Sequence, residues 1–175
     1  MAVFARLARH PALRAGGPVL AGTFPLGLDV EGSDLDVIVY APNPARFAAR
    51  LTRAFVHRPG FRLRLRNVGG LPTVVARFRE EGFPVEVFAQ ARPAGMQRAV
   101  RHLRIEARLL RLAGAELGRC VRALKARGVK TEPAFARCLG LEGDPYQTLL
   151  AMERWDGRTL ARWLASDARG RAYPL

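Results

Sequence analysis

Lysine is almost missing from this chain of 175 residues. Lys125 and Lys130 are the only two, and arginine supplies the rest of the 29 basic residues. Codon usage in GC-rich genomes produces that preference, so it says little about function. Acidic residues are also scarce, 15 in all, and none lies between Val37 and Arg79, a stretch carrying nine arginines. No apolar run approaches the ~18 residues of a membrane span. The opening segment, MAVFARLARH, is interrupted by Arg6, Arg9 and Pro11 too early for a signal peptide's apolar stretch. The expected location is therefore cytoplasmic, with no membrane partner. The two cysteines, Cys120 and Cys138, show neither metal-ligand spacing nor a secretory context, so neither a disulfide framework nor a zinc site is expected. Internal repeats and low-complexity linkers are absent as well.

What is present suffices for a folded protein. Apolar residues make up 49% of the chain, enough to bury a core at this length without a staple. The net charge is +14. From Ala91 to Lys130 eleven basic residues face two acids. A body this basic attracts polyanions: nucleotides, RNA, DNA or acidic proteins. The bland alternative is a solvated basic surface with no specific partner.

Patterning predicts strands first and helices later. A short helix is expected over 2–9, a strand over 19–21 and a glycine-rich connection over 22–33. The β-branched run DLDVIVY (34–40) predicts a strand, and the apolar spacing over 45–56 a helix. Residues 61–66 alternate Phe61, Leu63 and Leu65 with Arg62, Arg64 and Arg66, the pattern of a half-buried strand with a basic face. Strands over 73–79 and 85–89 follow, joined through a hairpin at Glu80, Glu81 and Gly82. After Pro93 the period becomes helical: 96–113, 116–126, then shorter helices after Glu132, Asp144 and Asp156. The expected class is α+β, a mixed or antiparallel sheet packed by helices. Residues 1–92 would form the core, with a helical C-terminal region at 93–175 packed on it as one domain.

The chemistry concentrates at three places. Asp34 and Asp36 are two apart at the start of a strand, so both carboxylates share a face, while Val37 and Val39 point into the core. Adjacent carboxylates repel each other, and proteins tolerate them chiefly around a cation. Glu86 interrupts an apolar strand, where an acid must face water or a ligand. Upstream, Gly22 allows close backbone approach to a phosphate and Thr23 supplies a hydroxyl. Taken singly, each acid fits a structural role, as a polar strand entry or a partner for arginine; taken together they fit a metal–nucleotide site.

Gly22-Thr23, ten residues, Asp34-Leu35-Asp36-Val37 and then Glu86 on a later strand resemble the signature of the DNA polymerase beta-like nucleotidyltransferase superfamily. More closely, GTFPLGLDVEGSDLDVIVY, VEVFAQ and KTEPAFARCLGLEGDPYQTLL resemble the bacterial domain-of-unknown-function family numbered 4269. The resemblance implies a minimal nucleotidyltransferase fold. Asp34, Asp36 and Glu86 would hold two magnesium ions, Glu86 as ligand or base, and Gly22 and Thr23 would bind the β- and γ-phosphates. It implies transfer of a nucleoside monophosphate from a nucleoside triphosphate to an acceptor hydroxyl on RNA such as tRNA, on a protein or on a small molecule. One departure stands out. Many members carry an arginine shortly after the glycine and its small neighbour, where this chain has Phe24, Pro25 and Leu26.

Other residues carry weaker signals. Arg62, Arg64, Arg66, Arg77 and Arg79 form either a polyanion-binding face or the wet side of a sheet. Asp29 and Glu31 read as loop solvation, and His10 and His57 carry no signal. His102, with Arg98 and Glu106 at i±4, reads as a surface polar cluster rather than a proton shuttle. Trp155 and Trp163 are expected to pack onto the body. The competing function is a non-catalytic nucleotide sensor or antitoxin-like binding protein on the same fold.

Overall fold

The computed structural model describes residues 2–166. The chain forms two compact units. One runs to Phe24 and resumes over Glu31–Val100; the other holds Pro25–Val30 and the described residues from Arg101 onward.

The first unit is built on a five-stranded sheet. Helices α1 (Ala2–Arg9) and α2 (Pro11–Arg14) precede β1 (Val19–Ala21) and β2 (Leu35–Tyr40). Helix α3 (Pro44–Phe55) leads to β3 (Arg62–Val68), β4 (Leu71–Glu80) and β5 (Phe83–Gln90). The order across the sheet is β1-β2-β5-β4-β3. Only β2 and β5 run parallel; the other neighbours are antiparallel, so the sheet is mixed. Pro11 begins α2 instead of merely ending α1. His10 caps that helix, its Nδ1 accepting from the Ala12 backbone N–H at 3.1 Å. Pro44 likewise opens α3 behind the Asn43 cap, whose Oδ1 accepts from Arg46 N–H at 2.9 Å.

Alternation decides which face is buried. Leu35, Val37 and Val39 of β2, Val85, Val87 and Ala89 of β5 and Val74, Ala76 and Phe78 of β4 form one core with Leu7, Leu13, Phe47, Leu51 and Phe55 of the helices. Phe55 stacks on Phe78 at 4.8 Å between ring centroids. The turn between β4 and β5 uses Glu81 and Gly82, both at positive φ, as a two-residue hairpin of this twist requires. Strand β3 is less buried than its alternating sequence suggests. It is an edge strand of the sheet: Leu63 packs against the core, but Leu65 stays 61% exposed.

The second unit is helical: the body of α4 (Arg98–Ala113), then α5 (Ala115–Ala126), α6 (Thr131–Leu139), α7 (Pro145–Met152) and α8 (Gly157–Ser166). Ile105, Leu109, Leu117, Val121, Phe135, Leu139, Leu149, Met152 and Leu160 close its core around Leu28 from the 25–30 loop. Arg122 donates to the Gly27 carbonyl at 2.8 Å, tying that loop down. Trp155 and Trp163, partly buried, meet edge to face at 6.0 Å against this core. No helix among the described residues is long and apolar enough to cross a membrane.

The cysteines correct the sequence reading. Cys120 on α5 and Cys138 on α6 form a disulfide across 18 residues, their Cα atoms 6.1 Å apart. Spacing alone does not reveal this pair, because the packing of α5 on α6 brings the two together. Closing a loop of that size restricts the unfolded chain by about 3 kcal/mol. Full reduction should therefore lower the stability of the helical unit by about that amount in urea titrations followed by circular dichroism. Superimposable curves with and without reductant would contradict it.

Candidate functional site

The register of the sheet places the predicted residues. Ala21 pairs with Asp36, Asp36 with Glu86, Glu86 with Arg77 and Arg77 with Arg62. Cross-strand partners share a face, so Asp36, Glu86, Arg77 and Arg62 make one row across the side opposite the main core. The row grades from acid on β2 and β5 to base on β4 and β3. The next row holds Val19, Ile38, Phe88, Val75 and Arg64. Ile38 and Phe88 belong to a small apolar cluster with Ala21, Ala94 and Val100, which covers the face beside the acids.

Arg77 binds Glu86 through Nε at 2.6 Å. Its guanidinium is held even more firmly in the charged form than usual, first by that hydrogen bond and the Glu86 charge, then by Asp34 and Asp36. All three carboxylates named from the sequence thus lie within electrostatic reach of a single cation. Asp34, just ahead of β2, is exposed, whereas Asp36 and Glu86 are half-buried. Gly22 lies directly against Asp36. It has a positive φ of 68°, and a Cβ built there would overlap Oδ2 of Asp36. The glycine is needed twice over, for backbone conformation and for room. Thr23 is buried.

The arginines separate into two groups. Arg62, Arg64, Arg66 and Arg77 line an open cavity of about 270 Å³ with Glu86, Phe88, Val68 and Val75. The cavity therefore runs from the basic edge strand to one of the three acids. Arg79 does not line it; its Nη1 donates to the Gly82 carbonyl at 3.1 Å in the hairpin turn.

Residues 3–152 match the family described as Domain of unknown function (DUF4269). The chain belongs to this family. A search of curated proteins finds no match. Solved structures are similar in fold. The Cid1 poly(U) polymerase with bound MgGTP matches 71% of this chain at a TM-score of 0.50 and 16% identity. Cid1 described as an RNA terminal uridylyl transferase matches the same share at 0.52 and 16%. GLD-2 in its complex with RNP-8 matches 93% of this chain and 71% of its own, at 0.52 and 13% identity. The chain spans only 38% of those two Cid1 chains. The DUF4269 chain thus has a mixed α/β fold similar to that of the Cid1 and GLD-2 structures.

A second group of polar residues departs from the sequence reading. His102 and Glu106 are not on the surface: they are 4% and 3% exposed. They share the inward stripe of α4 with Ile105 and Leu109, an i, i+3, i+4, i+7 spacing that signals a buried face. Burial pushes the Glu106 carboxyl up to about 8, with Glu132 adding to the shift and Lys125 opposing it. The i, i+4 spacing of His102 and Glu106 was visible in the sequence; the approach of Glu132 from α6 was not.

Proposed function

We propose that this DUF4269 chain is a nucleotidyltransferase that moves a nucleoside monophosphate from a nucleoside triphosphate to a hydroxyl of RNA. The observation that carries the reading is the row Asp36–Glu86–Arg77 across β2, β5 and β4, with Asp34 two residues ahead of Asp36 and Gly22 pressed against Asp36. An all-oxygen, carboxylate donor set suits magnesium. Asp34, Asp36 and Glu86 are the residues that would hold it. When bound, magnesium would polarise the triphosphate and make the acceptor hydroxyl more acidic.

The chain's own groups do the rest. Gly22 leaves backbone N–H groups open to phosphate oxygens. Arg77 supplies the positive charge that Phe24, Pro25 and Leu26 lack, and its pairing with Glu86 keeps the acids partly neutralised until a ligand arrives. The acceptor oxygen bonds to the α-phosphorus, the bond from that phosphorus to the β-phosphate oxygen breaks, and pyrophosphate leaves. A carboxylate at the Glu86 position receives the hydroxyl proton. Arg62, Arg64 and Arg66, exposed on the edge strand, fit the phosphates of a single strand.

Labelled triphosphates incubated with the protein, magnesium and bulk RNA test this. Transfer of label to RNA, with release of pyrophosphate, is expected. Nucleotide binding with no transfer to any acceptor would support the sensor reading instead. For the RNA face, Arg62→Ser, Arg64→Ser and Arg66→Ser combined should flatten the dependence of log affinity on log salt by about 2, at roughly 0.7 per lost contact to a single strand. An unchanged slope in filter-binding assays would place the RNA elsewhere.

A further inference from the structure

The helical unit carries a polar cluster that the nucleotide site does not use. His102 and Glu106 project from successive turns of α4, and Glu132 from the first turn of α6. One potential ligand atom from each lies within 4.8 Å of the other two. Ligands at ~2.1 Å from a common ion stand at most ~4.2 Å apart, so small side-chain rotations would bring these three into one coordination sphere. Glu106 Oε1 is fully shielded from solvent and has no hydrogen-bond partner, in a residue only 3% exposed. A buried carboxylate oxygen left that way is costly, and the general remedies are a cation or a proton.

We infer that His102, Glu106 and Glu132 hold a divalent transition-metal ion of the zinc class, separate from the nucleotide site. Imidazole with two carboxylates is a borderline donor set that favours zinc over magnesium or calcium. The other groups facing the cluster do not fill the role. The rings of Tyr146 on α7 and His102 meet in a T-shape, centroids 6.0 Å apart, and Lys125 on α5 donates to Thr131 Oγ1 at 3.2 Å. All ligands lie in the helical unit, so the ion would tie α4 to α6. The inference does not rest on nucleotidyl transfer.

The test is equilibrium dialysis of the full chain, stripped with chelator and kept oxidised so that Cys120 and Cys138 offer no thiolates, against zinc ions in a large excess of magnesium, which keeps Asp34, Asp36 and Glu86 from taking zinc. One zinc per chain is expected. Losing a mere hydrogen-bond support of a metal ligand costs about 10–100-fold in affinity, so Glu106→Gln and Glu132→Gln should each weaken binding by more than that. Glu132 is only half-buried, which keeps one variant informative if Glu106→Gln fails to fold by circular dichroism. Asp36→Asn should bind zinc like the wild type. No zinc on the wild type, zinc retained in Glu132→Gln, or zinc lost in Asp36→Asn would each overturn the inference.

Discussion

Asp36→Asn should lower the rate of nucleotidyl transfer by about a thousandfold or more while leaving the fold intact. Asp36 is the central acid of the row: it pairs with Glu86 on β5, with Ala21 on β1, and abuts Gly22. The substitution keeps its shape and removes one negative charge from the donor set. A thousandfold loss corresponds to about 4 kcal/mol of transition-state stabilisation. Stability should respond in the opposite sense or barely at all. Asp34, Asp36 and Glu86 repel one another, so removing one charge should leave the ligand-free protein melting at the same temperature or slightly higher. A purely structural role for Asp36 as a partner of Arg77 predicts the reverse, a destabilised protein with no change in nucleotide response. Single-turnover transfer assays and thermal melts on the same preparations separate the two.

Gly22→Ala should be nearly as damaging to activity, by a different route. The backbone there is left-handed, which costs a residue with a Cβ roughly 1–2 kcal/mol. The new methyl also overlaps the Asp36 carboxylate, and the end of that side chain can yield where backbone could not. The protein should therefore still fold, but with Asp36 turned out of place and the approach to phosphate filled. Loss of transfer by 100-fold or more, with a stability cost of about 1–2 kcal/mol, is expected. Full activity in Gly22→Ala, measured by the same transfer assay, would mean that the phosphates do not approach this turn.

Much of this site was legible because its signals are local. The Asp34–Asp36 spacing, the glycine ten residues upstream and the lone acid in an apolar strand each state a constraint that a short segment must satisfy. The parallel pairing that sets Glu86 beside Asp36 is encoded in neither strand by itself, since strand order is a property of the whole sheet. Arg77 was grouped with Arg79 because alternation assigns both to one face. Only the register shows Arg77 opposite Glu86 while Arg79 turns to the hairpin carbonyl. Cys120–Cys138 and the His102–Glu106–Glu132 cluster were misread or missed for a shared reason. Each depends on how α4, α5 and α6 pack, which pairwise spacing within one helix does not encode. Leu65 shows a related limit: alternation marks an inward face but not whether anything covers it, and on this edge strand Leu65 stays exposed.

The measurement that bears most directly on the central claim needs no knowledge of the acceptor. Thermal melts of the wild type and Asp36→Asn, with magnesium alone and with magnesium plus each nucleoside triphosphate, ask whether the carboxylates bind the nucleotide. A ligand that binds only the folded state at a hundredfold excess over its dissociation constant adds about 2.7 kcal/mol. The wild type should rise in melting temperature with magnesium and at least one triphosphate, and Asp36→Asn should lose most of that rise. A wild type that responds to none of the triphosphates would contradict the assignment of Asp34, Asp36 and Glu86 as a metal–nucleotide site.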